Sequence, residues 1–293
     1  MPELPEVETV RAGLSKLLVG KTITEINFDW AKSFPNAPSD VDNFALHAKV
    51  TQVRRRAKVL MIDLSTDYSF VIHLKMTGQL VFRSSNKNFG AGHPNNSLVG
   101  SLPDKSTRVI IEFSDSSTLF FNDQRKFGWV KLMPTTQIVE LDFFKRVGPE
   151  PLTKEFTSKL FRQRAMRRKN SNIKSVLLDQ SVLAGVGNIY ADESLWGAKI
   201  HPSTPVIDIS TRKLNVLRDE IVYVLQLSID KGGSTDKNYV DAEGKKGSYM
   251  SFSRVFRREG LPCPRCGRII IKTRVAGRGT HYCPGCQKPP KNN

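Results

Sequence analysis

Two cysteine pairs, Cys263-Pro-Arg-Cys266 and Cys283-Pro-Gly-Cys286, constrain this chain more than any other feature of its sequence. Each has the Cys-x2-Cys spacing of a metal knuckle, and 16 residues separate them. Four thiolates at that spacing close a tetrahedral shell around one Zn²⁺. A closed shell is structural, because no coordination position remains for a substrate. Two unrelated redox pairs are the competing reading, and the matched spacing of both knuckles argues against it. The residues between, 269–275 and 280–282, read as a β-hairpin turning at Ala276-Gly-Arg-Gly. A hairpin this small cannot fold alone, so metal binding supplies its folding free energy. It presents Arg278 near its tip, suited to a phosphate or a groove. The chain has 4 cysteines in 293 residues, too few for a disulfide scaffold.

Charge narrows the partner. Lys and Arg number 45 against 28 Asp and Glu, a net +17. Such an excess points to a polyanion, and nucleic acid leads. No run approaches the roughly 18 apolar residues of a membrane helix. The opening Met1-Pro-Glu-Leu-Pro-Glu-Val-Glu has neither the basic nor the apolar region of a secretory signal, so a cytoplasmic chain without membrane association is expected.

The pattern along the chain divides it. From Pro5, Val7, Val10, Leu14, Leu17 and Leu18 recur at helical spacing and Gly20 follows as a stop. This helix would hold the short leader before it in a fixed place. Residues 21–29, 50–64 and 68–74 are β-rich, and 108–113 with 118–122 flank Ser114-Asp-Ser-Ser as a hairpin. Residues 83–107, rich in Ser, Asn, Gly and Pro, read as a long loop, either functional or partly disordered. Around Gly148-Pro-Glu-Pro the pattern turns helical, with candidates at 153–164, 173–179, 188–198 and from 210 to Gly232-Gly233. The expected fold class is α+β and multidomain: 1–135, 150–250 and a zinc finger at 254–290.

Basic runs occur at Arg54-Arg-Arg-Ala-Lys58 and among Arg162, Arg164, Arg167, Arg168 and Lys169. A single run is ordinarily a solvated surface; several together with +17 suggest a shared polyanion groove. Asp123-Gln-Arg125-Lys-Phe127-Gly128 sets an aromatic beside cations, a pairing that can stack on bases and neutralise phosphate. In Leu183-Ala-Gly-Val-Gly-Asn188-Ile-Tyr, glycines permit close backbone approach and Asn188 is placed as the N-cap of the next helix.

Taken together, these motifs resemble one family. Pro2-Glu3-Leu4-Pro5-Glu6-Val7-Glu8, Arg55-Arg-Ala-Lys58, His73-Leu-Lys-Met76-Thr-Gly78, Asp123 to Gly128, Gly185-Val-Gly-Asn-Ile-Tyr190 and the zinc hairpin are similar, in order and over essentially the whole chain, to bacterial formamidopyrimidine-DNA glycosylase (8-oxoguanine DNA glycosylase, MutM). The resemblance implies an N-terminal β-sandwich with flanking helices, a helix–two-turn–helix domain and a C-terminal β-hairpin zinc finger. It implies a monomer that excises oxidised purines from damaged double-stranded DNA.

The opening motif is chemically apt for that reaction. Once Met1 is removed, Pro2 offers a secondary amine with a pKa of about 8, so part of it is uncharged and nucleophilic near neutrality. The resemblance implies that it attacks C1′ and forms a Schiff base, followed by β- and δ-elimination. Glu3 would shuttle protons, Glu6 would support it, Lys58 would act at β-elimination and on phosphate, and Arg278 at δ-elimination. Met76, Arg125 and Phe127 would fill the void left by the extruded nucleotide, with Arg125 facing the orphaned cytosine. His73, Arg168, Asn188 and Lys272 would contact phosphates. Residues 233–249 would cap the flipped purine. Three departures stand out: Ser106 where the family has a phosphate-contacting histidine, Phe256 in place of a tyrosine, and the length of 83–107. Two other readings compete, an endonuclease VIII-like enzyme for oxidised pyrimidines and a catalytically silent zinc DNA-binding protein. Leu4 and the Arg125–Phe127 pairing favour the purine enzyme over the first. The Pro2-Glu3 start favours an enzyme over the second.

Overall fold

The computed structural model describes residues 2–93, 95–234 and 249–290. They fall into two compact units, Met1–Lys145 with Ile229–Ser248, and Arg146–Ser228 with Tyr249–Asn293.

In the first unit, helix α1 (Leu4–Leu18) begins at a capping box. Glu3 is the N-cap, and its N–H donates to Glu6 Oε2 at 2.8 Å. Pro5 sits in the first turn, where its missing N–H costs nothing. The helix buries Val7, Val10, Leu14 and Leu18. Gly13 lies under the Phe89 ring, and a Cβ there would stand 2.4 Å from two ring carbons. Strands β1 (Ile23–Phe28), β2 (Val50–Arg56), β3 (Val59–Leu64), β4 (Tyr68–His73), β5 (Gly78–Arg83), β6 (Asn88–Gly92), β7 (Thr107–Phe113), β8 (Thr118–Asp123) and β9 (Trp129–Pro134) form two antiparallel sheets, with short helical turns α2 (Pro38–Asp40) and α3 (Asp142–Arg146) outside them. Their orders are β1-β7-β8-β5-β6 and β2-β3-β4-β9. Leu80, Phe82 and Phe121 of one sheet meet Leu60, Ile62, Ile72 and Leu132 of the other in a shared core, which makes a β-sandwich. Each sheet is covered outside as well. Ile138, Phe143 and Phe144 lie against Val59, Met61 and Val71, and Leu98 and Leu102 against Val81 and Phe120.

Two sequence expectations change here. Residues 50–64 are a hairpin rather than one β segment, and Lys58 sits in its turn beside Ala57, whose φ is +53°. Residues 83–107 are not a structureless loop. They supply β6 and a 3-10 turn at Asn96–Leu98, and Leu98 is buried.

In the second unit, helix α4 (Ser158–Met166) starts five residues later than periodicity suggests, because Thr157 caps it by accepting from Leu160 N–H. Helices α5 (Ile173–Leu178), α6 (Asn188–Gly197) and α7 (Thr211–Asp230) follow, then the hairpin β10 (Ile271–Val275) and β11 (Arg278–Tyr282). Ala276 and Gly277, with φ of +51° and +72°, make a two-residue turn that matches the twist of the strands. Arg278 is thus the first residue of β11, paired with Val275. The N-cap of α6 is Gly187, not Asn188. Asn188 is the first helical residue, and its side chain is free to reach the hairpin. The architecture is α+β, as expected.

Candidate functional site

The first constellation gathers at the start of α1. Pro2 and Glu3 are buried, with Glu3 only 4% exposed. Glu6 bridges two segments: Oε2 accepts Glu3 N–H, and Oε1 accepts Ser234 N–H at 2.9 Å. Ser234 is the last described residue before 235–248, so most of the expected capping loop lies outside the described residues. Glu8 Oε2 accepts Arg55 Nε at 2.9 Å, and Arg55 also donates to Ala57 O at 3.0 Å. These bonds tie α1 to the β2–β3 turn that carries Lys58, itself 5% exposed. His73 pairs with Val59 across the β3–β4 ladder, one residue beyond Lys58. Burial, then the charges of Lys75 and Lys58, lower the His73 pKa to about 3. Its Nδ1 accepts Lys75 N–H at 3.0 Å, which leaves the proton on Nε2.

The second constellation is a pair of turns at one end of the sandwich. Gly78 opens β5 opposite Asp123, which closes β8. The turn before Gly78 carries Met76, and the turn after Asp123 carries Arg125 and Phe127. Met76 is 36% exposed and Phe127 54%, so both turns present apolar surface at this end of the sandwich. The Arg125 guanidinium lies 4.8 Å from the Phe127 ring centroid. Fully buried Asp123 organises both turns. Its carboxylate accepts Thr77 Oγ1, Arg125 N–H at 3.2 Å, Phe127 N–H at 2.8 Å and Gly128 N–H at 2.6 Å. Gly128 admits no side chain, because a Cβ would stand 2.7 Å from Phe121.

The third lies in the second unit. The Sγ atoms of Cys263, Cys266, Cys283 and Cys286 all fall within 4.8 Å of one another, and all four cysteines are free. Cys266 and Cys283 are 3.4 Å apart and Cys263 and Cys286 3.9 Å, close to the roughly 3.8 Å edge of a tetrahedral thiolate shell with Zn–S bonds of about 2.3 Å. Burial pushes the Cys283 thiol up to about 12, and a dication held by the four sulfurs would keep it as thiolate. The donor set fits one structural Zn²⁺. Trp196 Nε1–H donates to Cys263 Sγ at 3.4 Å, and Arg265 stacks 3.7 Å from that indole, which seats the knuckle on α6.

The hairpin is held at its other end by charge. Lys174 Nζ and Asp192 Oδ1 meet at 2.6 Å, both fully buried, and Nζ also reaches Thr280 Oγ1 at 2.7 Å. Asp192 Oδ2 accepts His281 N–H at 2.8 Å, and Asn188 Nδ2 donates to Gly279 O at 2.9 Å. Arg278 therefore immediately precedes residues anchored to α5 and α6. Arg168 pairs with Asp179, and Lys272 with Glu259 at 3.3 Å.

Sequence reasoning passed over Lys174, Asp192, Glu193 and Arg254. Buried Glu193 accepts the N–H groups of Arg254, Val255 and Phe256 and so fixes the chain entering the zinc module. The one sequence trace of this pair of acids is their place in an otherwise uncharged helix. Phe256, the departure from tyrosine, packs edge-on against His281 at 5.0 Å.

Family models for the formamidopyrimidine-DNA glycosylase N-terminal domain, its H2TH domain and the zinc finger found in FPG and IleRS match residues 1–130, 147–239 and 260–289. The formamidopyrimidine-DNA glycosylase of Pediococcus pentosaceus is 41% identical over 288 residues, 98% of this chain and 99% of that protein. That of Ligilactobacillus salivarius is 39% identical over 287 residues, again 98% and 99%. Among solved structures, a Lactococcus lactis FPG mutant with Fapy-dG containing DNA superimposes with a TM-score of 0.86 at 35% identity, covering 98% of this chain and 100% of that one. Lactococcus lactis Fpg with abasic-site DNA gives the same values.

Proposed function

This chain belongs to the formamidopyrimidine-DNA glycosylase family, and on that premise we propose that Pro2, Glu3 and Lys58 carry its chemistry. It is a DNA-repair glycosylase with abasic-site lyase activity and one structural Zn²⁺. Damaged DNA is its substrate, as in the solved complexes of its relatives. The observation that carries the residue assignment is burial of Pro2 and Glu3 at a capped helix start, where a chain end ordinarily frays.

With Met1 removed, the Pro2 nitrogen lone pair attacks C1′, and the glycosidic bond breaks with its electrons leaving on the base. Glu3 handles the protons of that exchange. Glu6 supports it by holding the Glu3 N–H. The Pro2 nitrogen then loses its proton, and its lone pair forms the C1′=N⁺ bond as the C1′–O4′ bond breaks and O4′ takes a proton. This ring-opened iminium acidifies the C2′ proton. Its loss expels the 3′ phosphate with Lys58 at hand, and Arg278 serves the second, δ, elimination. Met76, Arg125 and Phe127 occupy the space of the extruded nucleotide, and Arg125 reads the orphaned cytosine. His73, Arg168, Asn188 and Lys272 hold phosphates, His73 as a neutral donor. The enzyme works as a monomer on double-stranded DNA in the cytoplasm, and oxidised purines are its preferred lesions.

Borohydride trapping on an oxidised-purine duplex tests the assignment. Trapped complex is expected for protein whose mass lacks Met1. It is expected to collapse in Pro2→Gly and in protein that retains Met1. Glu3→Gln is expected to slow excision on the order of a hundredfold or more. Equal trapping from a blocked terminus would overturn the mechanism, and faster excision from an oxidised-pyrimidine duplex would overturn the lesion class.

A further inference from the structure

The turns bearing Met76 and those bearing Arg125 and Phe127 are separate in sequence, yet one buried network joins them. Thr77 Oγ1 donates to Asp123 Oδ1 and accepts Arg125 N–H at 3.1 Å, so a single hydroxyl links the turns. Behind them, Asp123 N–H donates to Ser106 O at 2.7 Å, and Asp123 O accepts Arg108 Nε at 3.1 Å. Arg108 stands where the β7–β8 register shifts, between Thr107 and Val109. A bulge of this kind re-aims a side chain off the ladder. Here the re-aimed group is a guanidinium only 4% exposed, which also donates to Lys105 O and to the Asp29 carboxylate. Lys105 and Ser106 lie near the end of the segment 83–107, whose length nothing in the proposed chemistry explains. Asp104, in the same segment, accepts Ser106 N–H and Oγ–H, each at 2.7 Å.

We propose that Arg108 and Thr77 are positioning residues that lock Met76, Arg125 and Phe127 into one unit and thereby set the preference for the base opposite the lesion. The proposal rests on the assignment of Arg125 as the reader of that base. A buried cation with three carbonyl or carboxylate acceptors is costly to place, and a fold stable without it would carry an apolar side chain there. What the cation provides is geometry. Its fork fixes the last peptide of β8, and the Asp123 carboxylate passes that position to the N–H groups of Arg125, Phe127 and Gly128 in the reader turn. The 83–107 segment supplies the other side of the fork and the Ser106 carbonyl. Thr77 then carries the same position to Met76.

The test measures excision rates opposite cytosine and opposite adenine, with borohydride trapping on an abasic-site duplex as a readout independent of base reading. Thr77→Val keeps the shape and removes the hydroxyl. It is expected to narrow the cytosine-over-adenine ratio roughly fivefold, the size of one hydrogen bond, while trapping changes less than about twofold. Thr77→Ser is expected to restore the ratio. Arg108→Met is expected to narrow it further, and Thr77→Val carries the test alone if that variant does not fold. In an Arg125→Ala background, Thr77→Val is expected to have no added effect on the ratio, the coupling a positioning role requires. If Arg125→Ala loses the ratio while Thr77→Val and Arg108→Met lower only the melting temperature, the positioning role is overturned and the reader assignment stands. If Arg125→Ala itself keeps the ratio, the reader assignment falls and takes the proposal with it. Wild-type protein that does not trap overturns the catalytic assignment instead.

Discussion

A neutral imidazole grips a phosphate only as a hydrogen-bond donor, and His73 is held in that state. Its Nδ1 is occupied by Lys75 N–H, so Nε2 carries the proton. Burial and the charges of Lys75 and Lys58 hold its pKa far below the ordinary 6.5. The unfolded chain therefore binds a proton near pH 6.5 that the folded chain refuses until about pH 3. The stability His73 contributes is complete above 6.5 and is lost as pH falls toward its folded value, by up to about 1.4 kcal/mol per pH unit. The melting temperature is expected to fall between pH 6.5 and 5, and His73→Gln to flatten that slope. The ring is expected to show no titration in this range by nitrogen NMR. A ring titrating near 6.5, or an unchanged slope in the variant, would remove the basis for treating His73 as a neutral donor.

At the scale of elements, the zinc hairpin depends on a contact far from the metal. Lys174 and Asp192 are buried together between α5, α6 and β11. Asp192→Ala strands a buried ammonium and is expected to cost about 3–5 kcal/mol in urea unfolding. Lys174→Met combined with Asp192→Leu is expected to recover part of that loss, because an apolar pair removes the desolvation penalty. A loss under about 1 kcal/mol for Asp192→Ala would show the pair to be dispensable. Neither residue was legible in the sequence, and the reason is physical. Lys174, Asp192 and Thr280 are distant along the chain, and periodicity sees only neighbours. The cysteine knuckles and α1 were legible because their information is local: fixed spacing in one, a 3.6-residue repeat with Pro5 and Gly20 as punctuation in the other. Strand β6 was hidden by its own composition. Asn88-Phe-Gly-Ala-Gly has low strand propensity, and it is extended because it pairs with β5 and seats Phe89 over Gly13. Asn188 was read as a cap because its type favours that role. Gly187 takes the cap instead, and the Asn188 amide goes to Gly279 O.

At the scale of the whole molecule, a net charge of +17 favours a polyanionic partner and makes its binding salt-dependent. Each phosphate that a Lys or Arg neutralises releases about 0.9 of a counterion, so the slope of log K against log salt counts such contacts. Two of the proposed contacts are already paired in the free protein, Arg168 with Asp179 and Lys272 with Glu259. The Lys272–Glu259 pair is half exposed on both sides, so it is worth at most about 1 kcal/mol and yields readily to a phosphate. Lys272→Ala is expected to lower affinity for every sequence alike and to reduce the slope by about one unit. Glu259→Gln acts on the other partner. It leaves the phosphate contact in place but removes the competing carboxylate, so affinity is expected to rise about twofold to fivefold at fixed salt with little change of slope. Binding of an abasic-site duplex at four salt concentrations separates the two. If Lys272→Ala leaves the slope unchanged, Lys272 touches no phosphate and its pairing with Glu259 is simply a surface ion pair. If Glu259→Gln weakens binding, the carboxylate orients Lys272 toward the backbone rather than competing with it.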